Sequence, residues 1–223
     1  HNPEFLLLEW YRPGMDDAAL MSEIDALLGT LLRGFPARRL AFRELVEQAF
    51  GVDPLAATGS ELAAGIARKW RRRGREGDPL VLTGGDRSQL LDLAYAEAVE
   101  VCLGAVLVTD FPPEQAALAR LRMDDRGDRV AARFELVVDG IELANGFHEL
   151  VDAFEQRRRF EADRARRRAE GRQVPDADEQ LLAALDAGLP DCSGVALGLD
   201  RVLLLQLGLD SLDEAMAFSD PRC

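Results

Sequence analysis

Cysteine, histidine, net positive charge and long apolar runs are all scarce in these 223 residues. Three cysteines, Cys102, Cys192 and Cys223, form no Cys-x-x-Cys pair. That excludes a disulfide framework and fits a reducing, cytoplasmic setting. With only His1 and His148, a structural zinc site is excluded, and Cys192 has no histidine close in sequence to activate it as a nucleophile. No run of about 18 apolar residues is present, so no membrane-spanning helix is expected, and no signal peptide is visible. The net charge of −13 repels nucleic-acid phosphate, so RNA contact would need a local basic patch. Repeats, low-complexity segments and a Walker ending (Gly-Lys-Ser/Thr) are also lacking.

What is present is enough apolar residue, 48%, for a sizeable core, and one informative stretch at residues 134–150. Phe134 to Val138 alternates as a strand does. Asp139-Gly140 is a strong hairpin signal, because both residues tolerate positive φ. Counting back from a two-residue turn sets Val138 against Ile141, Val137 against Glu142 and Glu135 against Ala144. Glu135 and Glu142 then share a face as diagonal neighbours, about 7–8 Å apart at the backbone. Two such carboxylates can converge on Mg²⁺, which keeps waters and shares its shell with phosphate. The same pattern also fits a half-exposed hairpin with solvated carboxylates. Parity along the returning strand changes after Glu142, so a β-bulge is expected at Ala144-Asn145-Gly146.

Residues 5–12 read as a largely apolar, central strand with Glu9 and Tyr11 on one parity. Either that pair receives an ammonium group or Glu9 sits at an edge and Tyr11 in the core. Helices are expected over 16–32, 41–50, 60–70 (Ser60 as N-cap) and 86–103, and a buried strand over 105–109. Residues 69–75 form a basic run ending in a loop. Residues 116–122 fit a strand or a helical turn equally. A helix over 152–171 is crowded with arginines interleaved with acids. It reads as a solvated face with i,i+4 pairs or as a docking face for an acidic partner through Arg164 and Arg167. Another helix is expected over 178–187. Residues 191–201 read as a small-residue strand running into a helix that stops at Gly208. Arg201 at that helix start is a good place for phosphate.

Three separated stretches together resemble one family. His1-Asn2-Pro3-Glu4-Phe5 with Leu8-Glu9-Trp10-Tyr11-Arg12 resembles the second half of motif 2 of class II lysyl-tRNA synthetases. Gly140 to Leu150 resembles their lysine- and metal-binding hairpin, and Gly194 to Arg201 resembles motif 3. Glu9 to Arg12, Asp191 to Gly198 and Ala217-Phe218-Ser219 are closer still to the stand-alone paralogous ligases that attach (R)-β-lysine to elongation factor P. Ala196 stands where lysyl-tRNA synthetases carry glycine.

The resemblance implies an α+β fold: an antiparallel class II sheet flanked by helices, incomplete at the N-terminus. Residues 1–223 would be the C-terminal part of one catalytic domain, with a helical insertion near 36–104. It implies ATP and Mg²⁺ as cofactors. Asn2, Phe5, Glu142, Leu143 and Gly198 would contact ATP; Glu135 and Glu142 would hold Mg²⁺; Arg201 would clamp the γ-phosphate, with Glu142 beside it in catalysis. Tyr11, Glu149, Glu9, Asn145 and Ala196 would form the amino-acid pocket for (R)-β-lysine or lysine. The implied reaction is adenylate formation followed by acylation of a lysine on elongation factor P, with no tRNA and no membrane, in a homodimer at full length. A lysyl-tRNA synthetase catalytic domain and a non-catalytic synthetase-like binding protein are the competing readings. The chain begins at His1 without Met, and motif 1, the first half of motif 2 with its phosphate-binding Arg, and an upstream pocket segment are not found. It is therefore expected to be a fragment with little ligase activity alone and an exposed sheet edge.

Overall fold

The computed structural model describes residues 4–216. Asn2 and the stretch Ala217-Phe218-Ser219 lie outside the described residues. Seven strands form one sheet in the order β1-β7-β6-β5-β3-β2, with β4 pairing β5 off that path. The strands are β1 (Leu7–Pro13), β2 (Arg38–Ala41), β3 (Ala105–Phe111), β4 (Leu121–Met123), β5 (Arg129–Val138), β6 (Ile141–His148) and β7 (Cys192–Gly198). Every pairing is antiparallel except β2 with β3. The result is a mixed α/β fold with helices against the sheet, in keeping with the class II expectation.

The two faces of the sheet are covered differently. On one, helices α1 (Asp17–Leu28) and α8 (Leu199–Leu207) close a core of Leu20, Ile24, Leu28, Leu107, Phe134, Leu136, Leu143, Val195, Leu197 and Val202. On the other, α2 (Phe42–Phe50), α3 (Gly59–Arg72) and α5 (Arg87–Val99) bury Phe42, Leu45, Ile66, Trp70, Leu90 and Leu91 against Val106, Val108 and Ala131. That second layer roofs β2, β3 and part of β5. It leaves the β6-β7-β1 half of the same face open.

Local chemistry explains the helix starts. Asp16 caps α1, Asp86 caps α5 and Asp78 caps the short α4 (Pro79–Leu82). Asp152 caps α6 (Ala153–Ala169), Asp178 caps α7 (Glu179–Gly188) and Ser211 caps α9 (Leu212–Ala215). Each side chain accepts a free first-turn N–H. The expected cap Ser60 is corrected. Thr58 caps α3 and closes a capping box with Glu61, because threonine there has the acid three residues on that a reciprocal box needs. The Gly208 stop holds, with φ 65°.

Three further expectations change. The strand expected over 5–12 is the last strand of the path, not a central one. Its Leu7, Leu8 and Tyr11 are exposed. Of the two alternatives for 116–122, the strand is the one found, over 121–123; the 3-10 turn lies before that stretch, at 113–115. The bulge falls earlier than expected. Val138 pairs with Ile141 and Val137 with Glu142, but Leu136 then pairs with Ala144 and Glu135 with Asn145. Leu143 is the extra residue, and Glu135 faces Asn145 rather than Ala144. The turn itself is as expected, with Asp139 at φ 48° and Gly140 at 81°, the mirror-image geometry that suits a two-residue hairpin.

Candidate active site

The bulge decides which side chains meet. Without it, Glu142 and Asn145 would point to opposite faces, because side chains alternate strictly along a strand. With Leu143 looped out, both lie opposite the Glu135 side of β5. The registers of β6 with β7 and of β7 with β1 carry this face onward. Asn145 is beside Ala196 and Phe147 beside Gly194, while Ala196 faces Glu9, Gly194 faces Tyr11 and Gly198 faces Leu7. One open half of a sheet thus gathers Glu135, Glu142, Asn145, Ala196, Gly198, Glu9 and Tyr11.

At one end is a cleft of about 310 Å³ lined by Phe5, Leu7, Glu142, Leu143, Asn145, Ala196, Gly198 and Arg201. Phe5, Glu142, Leu143, Gly198 and Arg201, five of the six residues expected at ATP, are all here. The first turn of α8 carries Arg201 to the cleft wall, where it donates to the Glu142 carbonyl at 2.6 Å and lies 3.9 Å from the Glu142 carboxylate. The Asp200 carboxylate accepts from the Leu6 N–H at 2.7 Å, tying the segment that carries Phe5 to the start of α8.

Between cleft and roof sit the two carboxylates. Glu135 is buried; Arg133 and Asn145 (3.4 Å) donate to its Oε1, and the Tyr95 hydroxyl to its Oε2 at 2.7 Å. Arg133 in turn stacks on Phe111, 4.5 Å from the ring centre. Glu142 remains reachable from the cleft. Partial burial and the charge of Glu135 raise its pKa, while Arg201 and Arg133 pull it back.

This donor set fits Mg²⁺. The described residues contain no cluster of three or more His, Cys, Asp or Glu that could cage a metal. Two neighbouring carboxylates, the charge of Glu135 raising the proton affinity of Glu142, suit an ion that draws its remaining ligands from water and phosphate. The Asn145 Oδ1 is buried without a hydrogen-bond partner, a further oxygen left for a ligand.

At the other end, Glu149 and Tyr11 come together over Gly194. Glu149 is 7% exposed, and among the described residues no hydrogen bond reaches its carboxylate. Burial pushes its pKa up to about 7, against a smaller opposing pull from Arg120. The Tyr11 hydroxyl is also raised, by burial and then by Glu149 and Glu9. Gly194 makes this close approach possible. A Cβ there would stand 2.5 Å from Tyr11 Cε1 and 2.7 Å from Glu149 Oε1. A buried, unpaired carboxylate is costly unless a cation arrives, so the pair has the chemistry of an ammonium receptor.

All the expected site residues within the described chain therefore fall on one sheet face or its rim. Sequence reasoning missed Tyr95, Arg133, Arg120 and the steric role of Gly194. Only Arg133 carried a local signal, two residues from Glu135 and so on its face. The arginine-rich helix α6 is quieter than its composition suggests. Arg158 and Arg159 pair with Glu155, which holds that carboxyl down at about 2. Arg166 and Arg167 pair with Asp163, and Arg164 with Asp176. Arg159 also donates to the Ala117 and Ala119 carbonyls. The solvated-face reading accounts for these charges.

The family model for class II tRNA synthetases (D, K and N) matches residues 1–222. The chain belongs to the class II tRNA synthetase family. Among curated relatives, the elongation factor P–(R)-β-lysine ligase of Klebsiella pneumoniae subsp. pneumoniae is 45% identical over 225 aligned positions, covering all of this chain and 67% of the relative. The ligases of the same name from Salmonella dublin and Salmonella agona are 44% identical with the same coverage. This class II chain thus spans about two thirds of the length of those ligases. No helix among its described residues is long and apolar enough to cross a membrane.

Proposed function

We propose that this class II domain serves an ATP-dependent ligase that activates (R)-β-lysine as an aminoacyl-adenylate and transfers it to a lysine ε-amine of elongation factor P. The observation that supports this reading best is the pairing of two sites on one sheet face. One is a nucleotide-sized cleft with Arg201 and Glu142 on its wall; the other is the buried Glu149 beside Tyr11, whose carboxylate makes no ion pair among the described residues. The identity to relatives named for that reaction runs the length of the chain.

Each residue then has a physical task. Phe5 offers an aromatic face to the base, and Leu143 and Gly198 form the floor beneath the nucleotide. Arg201 neutralises phosphate charge from a helix N-terminus. Glu142 and Glu135 would hold Mg²⁺, which when bound supplies charge neutralisation to the polyphosphate. Glu149, with Tyr11 and Glu9, takes the ammonium groups of the amino acid. Ala196 and Asn145, side by side between the sites, set where the substrate carboxylate meets the α-phosphate. Catalysis is positioning and electrostatic stabilisation rather than covalent work by the protein. In the first step the substrate carboxylate oxygen attacks the α-phosphorus and pyrophosphate leaves. In the second the acceptor amine attacks the acyl carbon and AMP leaves.

The test uses the full-length gene product with ATP, Mg²⁺, elongation factor P and either (R)-β-lysine or α-lysine. Mass spectrometry should find one β-lysyl addition on the acceptor. Charging of tRNA-Lys with no acceptor modification would replace this reading with the synthetase one, and ATP binding without adenylate formation would replace it with a binding role.

A further inference from the structure

The helical layer reaches the site at one point. Tyr95, on the inward side of α5, is 40 residues from Glu135 in sequence, yet its hydroxyl donates to Glu135 Oε2 at 2.7 Å. Its ring is fixed on three sides, stacked on Phe42 with centroids 5.6 Å apart, edge-on to Phe111 at 5.3 Å, and backed by α5 itself. The phenol O–H is the donor in this contact and the Glu135 carboxylate accepts.

Glu135 needs such a donor. Arg133 and Asn145 both address Oε1. Without Tyr95 the buried Oε2 would have no partner and the carboxylate could rotate about its last torsion. A metal-binding carboxylate depends on outer partners of this kind to fix its orientation, and loss of one typically weakens metal binding or activity by roughly 10- to 100-fold.

We propose that Tyr95 is a positioning residue: it locks Glu135 in the orientation that, with Glu142, receives the metal of the nucleotide site, and so makes α5 part of that site. The proposal rests on the Mg²⁺ role given to the two glutamates above.

Tyr95→Phe keeps the aromatic stack and removes only the hydroxyl. The test is calorimetric titration of Mg²⁺ into the full-length protein with saturating non-hydrolysable ATP analogue, alongside thermal melting without ligand. The expected result is about tenfold weaker Mg²⁺ binding by Tyr95→Phe, with its ligand-free melting near that of the wild type. Tyr95→Leu, which also breaks the stack, should lose both Mg²⁺ affinity and stability. Glu135→Gln should weaken Mg²⁺ as well, and adding Tyr95→Phe to it should cost little more, because both changes act through one carboxylate. Unchanged Mg²⁺ affinity in Tyr95→Phe, or full additivity with Glu135→Gln, overturns the proposal and leaves the site reading intact. Wild-type protein that binds the analogue with no Mg²⁺ dependence overturns both.

Discussion

Replacing Glu149 with glutamine isolates the cost of holding an unpaired carboxylate in the proposed amino-acid site. The group's pKa rises from 4.5 to about 7 in the folded chain. At about 1.4 kcal/mol per pH unit, ionising it in place costs roughly 3 kcal/mol, and partial access to solvent lowers that to roughly 2–3 kcal/mol. Below pH 4.5 the carboxyl is protonated in the folded and unfolded chains alike, and Glu149→Gln should be near neutral. Between 4.5 and about 7 the unfolded chain gives up its proton first, so wild-type stability falls as pH rises. Above 7 the whole penalty applies, and glutamine, which has no charge to bury, escapes it. In a chain of this size each kcal/mol moves the melting temperature by about 2–4 °C. The ligand-free variant should therefore melt about 4–12 °C above wild type at pH 8.5 and within about 1 °C of it at pH 4.5. Lysine should reverse the order, since the ammonium pays back the ionised carboxylate and gives the amide far less. Melting curves at four or five pH values, with and without amino acid, read both effects. A difference between the two proteins that does not change with pH would refute the claim that burial without a partner governs Glu149.

Two of the site's other features, and one buried charge cluster outside it, can be tested more briefly. Gly194→Ala drives a methyl into Tyr11 and Glu149; an overpacking cost of about 1–3 kcal/mol should appear as roughly 10- to 100-fold weaker amino-acid binding in calorimetry. ATP affinity should hold, because Gly194 is not on the cleft wall. Arg201→Ala removes a charge-assisted phosphate contact worth about 1.5–3 kcal/mol, so ATP analogue binding should fall roughly 10- to 100-fold while the urea midpoint barely moves. Arg43 is buried and pairs with Asp53, Asp124 and Asp128. Arg43→Met should lower unfolding free energy by about 2–4 kcal/mol in urea melts, since three carboxylates lose their shared cation.

Much of this could be read from the residues alone, and the failures have physical causes. The hairpin was legible because Asp-Gly demands a particular backbone, and its first two cross-strand pairs followed. The bulge was only half legible: a change of parity announced it, but Leu143 and Ala144 are both apolar and both buried, so nothing marked which was extra. Strand β1 looked central because its apolar residues occur on both parities. Phe5 and Leu7 are in fact exposed residues lining the cleft, and a cleft wall of this kind is as oily as a core. β2 went unread because Arg38-Arg39-Leu40-Ala41 shows no alternation. Tyr95 left no trace, since only tertiary packing brings α5 over Glu135.

The looped-out Leu143 has a consequence for how this hairpin tolerates change. Even and odd positions swap meaning at a single point in β6, so the ribbon encodes its chemistry by count as much as by identity. Exchanging one side chain for another leaves that count alone. One inserted residue between Gly140 and Asn145, without a second loop to absorb it, would transpose everything up to His148, sending ligands inward and core methyls out. Length, rather than spelling, is the property of this segment least free to drift.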